Sequence, residues 1–313
     1  MTLVAMFPGQ SSRYPEMLAK LRGEPACARV LAEASDLLGR DLAAHYRGND
    51  VFATNRDVQV GVFLANHVHL QMFLDAGITF RHSLGLSLGE YNHLVHIGAL
   101  DFADAVRLVD DRGRLYDEAR DGVMVSVFPL GAEAVEAAIQ RLGLGERAAI
   151  GLYNSPRQQV ISGERSAVDA LLTELERDEY FDATVIEPRI PMHAPCFAVT
   201  ASRFAEVLAS VTFSPPRVPY VPNVRGAVLA SATSTDIREC LVAHVYRPVR
   251  WQASVDAIAA SVREPWFVEV GPRDVLHNLF GKDWMPGKRA RSDSALEGRG
   301  HFTMLIAELR DAC

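Results

Sequence analysis

The chain has 313 residues, 49% of them hydrophobic, enough to bury a core in one large domain or in a large domain that carries a smaller one. Its net charge of −7, with no basic run longer than residues 288–291, argues against a nucleic-acid-binding face. No apolar stretch approaches the roughly 18 residues of a membrane span, and the N-terminus does not resemble a signal peptide. We therefore expect a globular, cytoplasmic protein that binds neither nucleic acid nor membrane.

The first 75 residues alternate between short strands and helices. An apolar run at 3–7 predicts a strand, followed by a turn-rich loop at 8–12 and a helix that begins near Tyr14. Helical spacing of apolar residues recurs at 27–38 and 60–74. This alternation predicts a doubly wound α/β domain with a mostly parallel sheet. By itself, the loop is equally consistent with a structural βα turn and with one edge of a site.

A serine between two glycines follows at 85–90, in the sequence Gly-Leu-Ser-Leu-Gly-Glu. A short apolar segment at 78–80 is predicted as the preceding strand, and helical spacing follows from Tyr91. G-x-S-x-G between a strand and a helix is typical of a nucleophile elbow, in which Ser87 is exposed on a sharp turn and the next N–H, that of Leu88, faces a developing oxyanion. Small-residue turns are common, so the pattern alone is only moderately specific.

The segment from 122 to 190 has a different character. Strands are predicted at 123–130, 148–153, 159–162 and 183–187, and helices at 132–142 and 166–175. The order β-α-β-β-α-β is that of a ferredoxin-like unit. We therefore predict a small ferredoxin-like domain at 122–190, inserted in a discontinuous large α/β-hydrolase-like domain formed by 1–121 and 191–313, with a cleft between the two.

The rest of the chain is predicted to complete the large domain. Apolar runs at 218–221 and 267–270 predict two further strands. The stretch 281–300 is rich in charge, Gly and Ser and is predicted as loop, and a closing helix follows at 302–309.

A serine hydroxyl needs a base within hydrogen-bond reach at neutral pH, and imidazole suits that task. His193 stands between Pro191 and Pro195 in a rigid loop, far enough downstream to return over the sheet edge. The residues alone make it one candidate among several, because other histidines lie on predicted helices. These are His67, His69, His93 and His96.

No pattern typical of a metal or disulfide site is found. Glu90, His93 and His96 form E-x-x-H-x-x-H, which lacks the i, i+4 histidine pair of a zincin helix. The cysteines are scattered without C-x-x-C spacing. They are Cys27, Cys196, Cys240 and Cys313.

Several motifs together give the chain a family resemblance that no single motif would carry. It resembles the malonyl-CoA:acyl carrier protein transacylase family, which includes the acyltransferase domains of polyketide synthases, over nearly its whole length. The matching segments, in family order, are F-P-G-Q at 7–10, the serine motif at 85–91, N-S-P-x-Q at 154–158, V-I-S-G at 160–163, His193, Asn223-Val224, P-V-R-W at 248–251 and V-E-V-G-P at 268–272.

The resemblance implies a role for each matching residue. Ser87 would become acylated, and His193 would act first as its base and then as an acid. The backbone N–H groups of Gln10 and Leu88 would form the oxyanion hole. Arg112, on a helix predicted at 101–119, would pair with the free carboxylate of a malonyl group; without the resemblance, its position indicates a solvated or ion-paired surface arginine.

Two further residues are candidates for substrate binding, and parts of the pocket depart from the family pattern. Gln59 matches the glutamine of the family's T-Q-P-A segment, although Val60 replaces the proline. Met192 precedes the histidine where phenylalanine or serine is usual. Residues 11–13 and Leu86 also differ from the common residues, which leaves the size of the acyl group open.

The resemblance implies an acyltransferase that carries malonyl from coenzyme A through a Ser87 ester to the phosphopantetheine thiol of an acyl carrier protein, in fatty acid or polyketide biosynthesis. Acyl-CoA and the carrier protein would be substrates and partners, no metal or other cofactor would be bound, and the enzyme would act as a monomer. Two other enzymatic activities stay open: transfer of a larger acyl group between two carrier proteins, and hydrolysis of stalled acyl groups. A third alternative is a docking module without activity.

Overall fold

The structure is a computed structural model that describes residues 1–48, 50–119, 121–293 and 298–312. Its strands are β1 (Thr2–Phe7), β2 (His82–Gly85), β3 (Gly122–Phe128), β4 (Ala148–Ser155), β5 (Gln158–Glu164), β6 (Asp182–Glu187), β7 (Pro265–Glu269) and β8 (Lys288–Arg291). Its α-helices are α1 (Pro25–Leu38), α2 (Leu42–His45), α3 (Asn55–Asp75), α4 (Gly89–His96), α5 (Phe102–Tyr116), α6 (Ala132–Leu142), α7 (Arg165–Leu175), α8 (Ala198–Ala209), α9 (Ser234–Tyr246), α10 (Trp251–Ser261), α11 (Val275–Leu279) and α12 (Gly298–Ala312).

A four-stranded parallel sheet in the order β2-β1-β7-β8 forms the centre of the large unit. In its central strand β1, Val4 pairs with His82 on one side and with Phe267 on the other. The run from Leu3 to Phe7 is apolar and buried throughout, as expected for a parallel strand covered on both faces. The predicted α/β class with a parallel sheet is confirmed.

The second sheet is antiparallel, in the order β4-β5-β3-β6, and it packs with α6 and α7. Counted from β3, this order is the ferredoxin-like one, so the predicted β-α-β-β-α-β unit is confirmed. It has an apolar core of its own, centred on residues such as Val135, Ile161 and Leu171. The domain boundaries at 122 and 190 stay a prediction.

Two predicted elements near the start of the chain are wrong. The strand next to the serine motif is β2, not 78–80, because Ile78 and Phe80 belong to a packed apolar cluster in which Phe80 lies edge-on to Phe73. No α-helix begins near Tyr14. Short 3-10 turns at Gln10–Ser12 and Lys20–Gly23 stand there instead, and the first α-helix begins at Pro25.

Two predictions in the C-terminal part also need correction. Residues 218–221 form no strand but one isolated bridge, Tyr220 to Leu229, because Pro219 and Pro222 cannot donate to a ladder. The predicted loop 281–300 contains the strand β8. Its lysine and arginines are typical of an edge strand, and because they are charged the sequence did not predict a strand there. The predicted loop also contains the first turn of α12, while 294–297 lie outside the described residues.

In the part of the chain that the structure describes, no helix combines the length and the apolar character needed to cross a bilayer.

Candidate active site

Ser87 lies in the turn between β2 and α4, in backbone geometry that few side chains adopt. Its φ is 51°, a left-handed value that marks a strained turn. A Cβ on Gly85 would lie 2.0 Å from the carbonyl oxygen of Gly89, and one on Gly89 would lie 2.0 Å from that of Phe7. Both positions therefore require glycine, and the turn has the close strand-to-helix approach that defines a nucleophile elbow.

The structure brings Ser87 and His193 together. The serine Oγ lies 2.8 Å from Nε2 of His193, and Nδ1 of the same ring lies 2.6 Å from the backbone carbonyl of His244. Because a carbonyl can only accept, Nδ1 carries the ring proton and Nε2 presents its lone pair to the serine. In this arrangement an imidazole can remove the proton of a serine hydroxyl.

The loop that holds His193 is fixed by its backbone. His193 has a φ of 64°, and its N–H donates to the carbonyl of Val245 at 3.0 Å. Burial lowers the pKa of His193 to about 3; the positive charge of Arg112 acts in the same direction, and the hydrogen bond to the His244 carbonyl opposes it. The imidazole is therefore neutral, the form that a general base requires.

Asn223 holds the nucleophile turn from the other side, a role that the sequence did not predict. The N–H of Ser87 donates to Asn223 Oδ1 at 2.8 Å, and Asn223 Nδ2 donates to the carbonyl of Gly85 at 2.7 Å. The Asn223 side chain thus supplies hydrogen-bond partners to backbone groups of Gly85 and Ser87 in the strained turn. The only signal in the sequence was the family motif at 223–224, which says nothing of geometry.

The backbone N–H groups of Gln10 and Leu88 are free to bind a ligand. Within the described ranges, neither donates to an acceptor in the protein. Gln10 lies in the cleft that also holds Ser87, and Leu88 is the residue after the nucleophile, at the start of α4. Two such N–H donors beside a serine can stabilise an oxyanion.

Arg112 lies inside the protein, so the simple expectation of a surface arginine is wrong. It is 1% exposed, and its Nη1 donates to Oε1 of Gln59 at 2.6 Å. Its guanidinium carbon lies 4.3 Å from the ring centre of Tyr116 and 5.4 Å from that of Tyr91. Nε and Nη2 donate to no carboxylate or amide of the described residues, and the hydroxyls of Tyr91 and Tyr116 lie near the guanidinium.

Gln59 lies inside α3, because that helix begins at Asn55 and not at residue 60, where the predicted helical spacing began. Its amide nitrogen donates to the Asn55 side chain, which leaves the amide oxygen to accept from Arg112. Asn55 is itself held through its N–H by Asp117 at 2.6 Å. The sequence predicted Gln59 as a substrate-binding candidate; in the structure it contacts Arg112.

A narrow cleft of ≈ 30 Å³ opens beside the serine, with walls from the loops that follow β1 and β2 and from the antiparallel sheet. Met192 lines it next to His193, as its position in the sequence suggested. Glu187 also lines it, and burial raises the pKa of that carboxyl. The sequence did not point to Glu187, because alternation along β6 does not reveal which side chains face a cleft. Arg112 is not among the lining residues.

The other histidines do not reach the serine. Nδ1 of His93 lies 2.7 Å from the Ser83 hydroxyl, and Nδ1 of His96 lies 2.8 Å from it, while the ring of His67 stacks on Phe102. Among the described residues, no three His, Cys, Asp or Glu side chains are grouped as metal ligands. The free cysteines are Cys27, Cys196 and Cys240, and Cys313 lies outside the described residues.

The fold and this geometry define a class: α/β enzymes with a serine elbow, able to carry an acyl group as a serine ester. Comparison with known proteins gives the family. Residues 6–285 match the family model described as the acyl transferase domain, so the chain belongs to that family and is an acyltransferase.

Curated relatives and solved structures agree with this family. The chain is 34% identical over 281 residues to a malonyl CoA-acyl carrier protein transacylase of Escherichia coli K12, covering 88% of this chain and 90% of the relative. For a protein of the same description from Bacillus subtilis strain 168, the identity is 31% over 285 residues, covering 88% and 89%.

Among solved structures, FabD from Acinetobacter baumannii superposes with a TM-score of 0.90 at 27% identity, covering 100% of this chain and 99% of the other. A second match is a type II PKS acyl carrier protein, AntF, in complex with its malonyl-transacylase, PlMCAT. It gives a TM-score of 0.88 at 28% identity and covers 98% of this chain and 100% of the other. The resemblance seen in the sequence is thus confirmed.

Proposed function

We propose that this acyltransferase moves a malonyl group from coenzyme A to the phosphopantetheine thiol of an acyl carrier protein, through an ester on Ser87, in fatty acid or polyketide biosynthesis. The observation that carries the serine ester is the 2.8 Å contact between Ser87 Oγ and a neutral His193. The transacylases named above support the malonyl group and the carrier protein.

The reaction runs in two half-reactions. His193 Nε2 takes the proton of Ser87 as Oγ attacks the thioester carbonyl, and the N–H groups of Gln10 and Leu88 stabilise the oxyanion. The C–S bond then breaks, and coenzyme A leaves with the proton from His193. In the second half, the carrier thiol gives its proton to His193 and attacks the ester, and Ser87 leaves with that proton.

Arg112 supplies the preference for a carboxylated acyl group. Its free Nε and Nη2 form the fork that binds the two oxygens of a carboxylate. Gln59 and the two tyrosine rings hold this fork in place. The cleft of ≈ 30 Å³ holds only a water molecule or two, so an acyl group must displace a side chain to reach Arg112. Met192 is unbranched and adaptable, which suits that movement.

Each step is a proton transfer or an acyl transfer, so the scheme uses no bound metal or cofactor. We also propose that the enzyme acts as a monomer in the cytoplasm, and that 122–190 form a separate domain with the site at its border. Support for this border comes from the cleft, where Ser87 lies on the parallel-sheet side, while Met124 and Glu187 come from the antiparallel sheet.

The test is transfer itself. Malonyl-CoA, a holo carrier protein and the enzyme are mixed, and malonyl carrier protein is measured by mass spectrometry. The apo carrier protein, which lacks the thiol, is the control. We expect malonyl transfer to the holo form only. Absence of malonyl transfer would contradict the proposal, as would faster transfer of a larger acyl group between two carrier proteins.

A further inference from the structure

A buried carboxyl–imidazole pair lies directly behind Ser87 and His193, and the scheme above does not use it. Nδ1 of His244 lies 3.1 Å from Oε2 of Glu90, and both side chains are 1% exposed. Neither atom makes a hydrogen bond among the described residues, so this 3.1 Å approach is the polar contact of both of them. Buried polar atoms are rarely left unpaired, and a small rotation of either side chain would join the two in a hydrogen bond.

His244 contacts His193 in two ways. Its backbone carbonyl accepts the Nδ1–H of His193 at 2.6 Å. Its ring stacks on the His193 ring, with centroids 4.8 Å apart and planes at 22°. A shift of His244 therefore changes both the tautomer-fixing hydrogen bond and the wall behind the imidazole.

Glu90 connects this residue to the nucleophile. It stands three residues after Ser87, in the first turn of α4. Its Oε1 accepts from the hydroxyl of Tyr220 and from the N–H of Asn223 at 3.3 Å. Asn223 in turn accepts the N–H of Ser87. The Glu90 carboxyl thus connects α4, the helix that follows Ser87, to His244, whose backbone carbonyl accepts the Nδ1–H of His193.

The charge state of the pair suits this position. Burial raises the pKa of Glu90 to about 8, against hydrogen bonds from Tyr220 and Asn223 and the charge of Arg112. Burial lowers the pKa of His244 well below its usual value, and His193 and Arg112 act in the same direction. The pair is therefore neutral near pH 7, with its proton on the carboxyl. A neutral ring does not oppose the positive charge that His193 gains when it accepts the serine proton.

We propose that Glu90 and His244 act as one positioning unit that orients His193 toward Ser87. This inference rests on the proposed Ser87–His193 chemistry and adds two residues that touch neither substrate nor reacting atoms.

The experiment measures single-turnover acylation of Ser87 by malonyl-CoA, with Glu90→Leu, His244→Phe, the double variant and Glu90→Gln. Glu90→Leu and His244→Phe should each slow acylation on the order of 10- to 100-fold, since small misplacements of a reacting group cost about this much. The half-saturating malonyl-CoA concentration should change little. The double variant should be no slower than the slower single variant, because the two act as a unit.

Glu90→Gln is the conservative variant. A glutamine amide can donate to His244 Nδ1 and accept from Tyr220 as the protonated carboxyl does, so its rate should stay within about threefold of wild type. His67→Phe is the matched control: it removes another buried, ring-stacked imidazole outside the cleft and should leave the rate unchanged. Circular dichroism checks folding, and His244→Gln replaces His244→Phe if the latter does not fold.

Three results would overturn the inference: single-variant losses that multiply in the double variant, a Glu90→Gln as slow as Glu90→Leu, or an unchanged rate with a higher half-saturating concentration. Failure of the proposed function gives a different result. In that case Ser87→Ala would still be acylated, whatever the Glu90 variants do.

Discussion

The burial of Arg112 determines the role that its side chain can have. A guanidinium buried with two unpaired nitrogens is costly unless a ligand completes it, and a malonyl carboxylate would do so. The sequence pointed to Arg112 only through the family resemblance. Its contact with Tyr116, four residues further along α5, follows from helical spacing. Its burial against Tyr91 could not be read from the sequence, because that ring belongs to another helix, α4.

Replacement of Arg112 should reduce transfer from malonyl-CoA more than transfer from acetyl-CoA. Arg112→Ala should lose roughly 1.5–3 kcal/mol of transition-state stabilisation with malonyl-CoA, the range for a hydrogen bond to a charged group. Acetyl transfer should fall much less, because acetyl has no carboxylate. The measurement is kcat/KM for both donors, with Arg107→Ala, an exposed arginine of the same helix, as the control. Equal loss of both donors would show a structural role instead.

The pH dependence of acylation should report the buried environment of His193. Because its pKa is lowered to about 3, the base form persists well below the usual histidine range. We expect initial-rate kcat/KM with malonyl-CoA to stay level from pH 8 down to about pH 5. A midpoint near pH 6.5 would contradict this, since it would show an imidazole with an ordinary pKa.

Strands and helices could be predicted well where the sequence periodicity agrees with the contacts that each element makes in the fold. The six elements of the ferredoxin-like unit were placed within a few residues, because each strand is a short apolar run, each helix has helical spacing, and turn residues separate them. Failures occurred where tertiary contacts decide. Ile78 and Phe80 are apolar because they belong to a packed hydrophobic cluster, not because they lie in a strand. β8 is charged because it lies at the edge of its sheet.

The close approach of β1 and α4 at the nucleophile elbow can be tested by substituting a glycine. Gly89→Ala should destabilise the protein by about 3 kcal/mol or more, because the new Cβ would meet the carbonyl of Phe7 in the central strand. Gly145→Ala is the matched control, with no atom within 4 Å of its new Cβ. Urea unfolding compares the two. Similar midpoints for both variants would show that β1 and α4 do not approach so closely.

Several histidines are neutral in the interior of the large unit. Burial lowers the pKa of five of them to between about 3 and about 4; they are His67, His69, His93, His96 and His193. Burial also raises the pKa of Glu90 and Glu269 to about 8. The sequence shows the histidines but not that they are buried, since histidine occurs on surfaces as often as in cores.

The stability of the whole molecule should therefore have a maximum near pH 6.5. Below that pH, the unfolded chain binds protons on histidines that the folded state keeps neutral, so stability falls. Above it, the two buried carboxyls are still protonated when folded but ionised when unfolded, so stability declines more gently up to about pH 8. Tm across pH 4.5–8.5 measures this. His67→Phe should flatten the acid slope, and an unchanged slope would contradict the burial argument.

The central claim is that Ser87 carries the acyl group, and intact-protein mass spectrometry tests it most directly. After brief incubation with malonyl-CoA and no carrier protein, the wild-type protein should gain one malonyl adduct, located by peptide mapping to Ser87. Ser87→Ala should gain none, while Ser11→Ala, a serine in the same cleft, should still be acylated. An adduct that persists in Ser87→Ala, or that maps to another residue in the wild-type protein, would contradict the account.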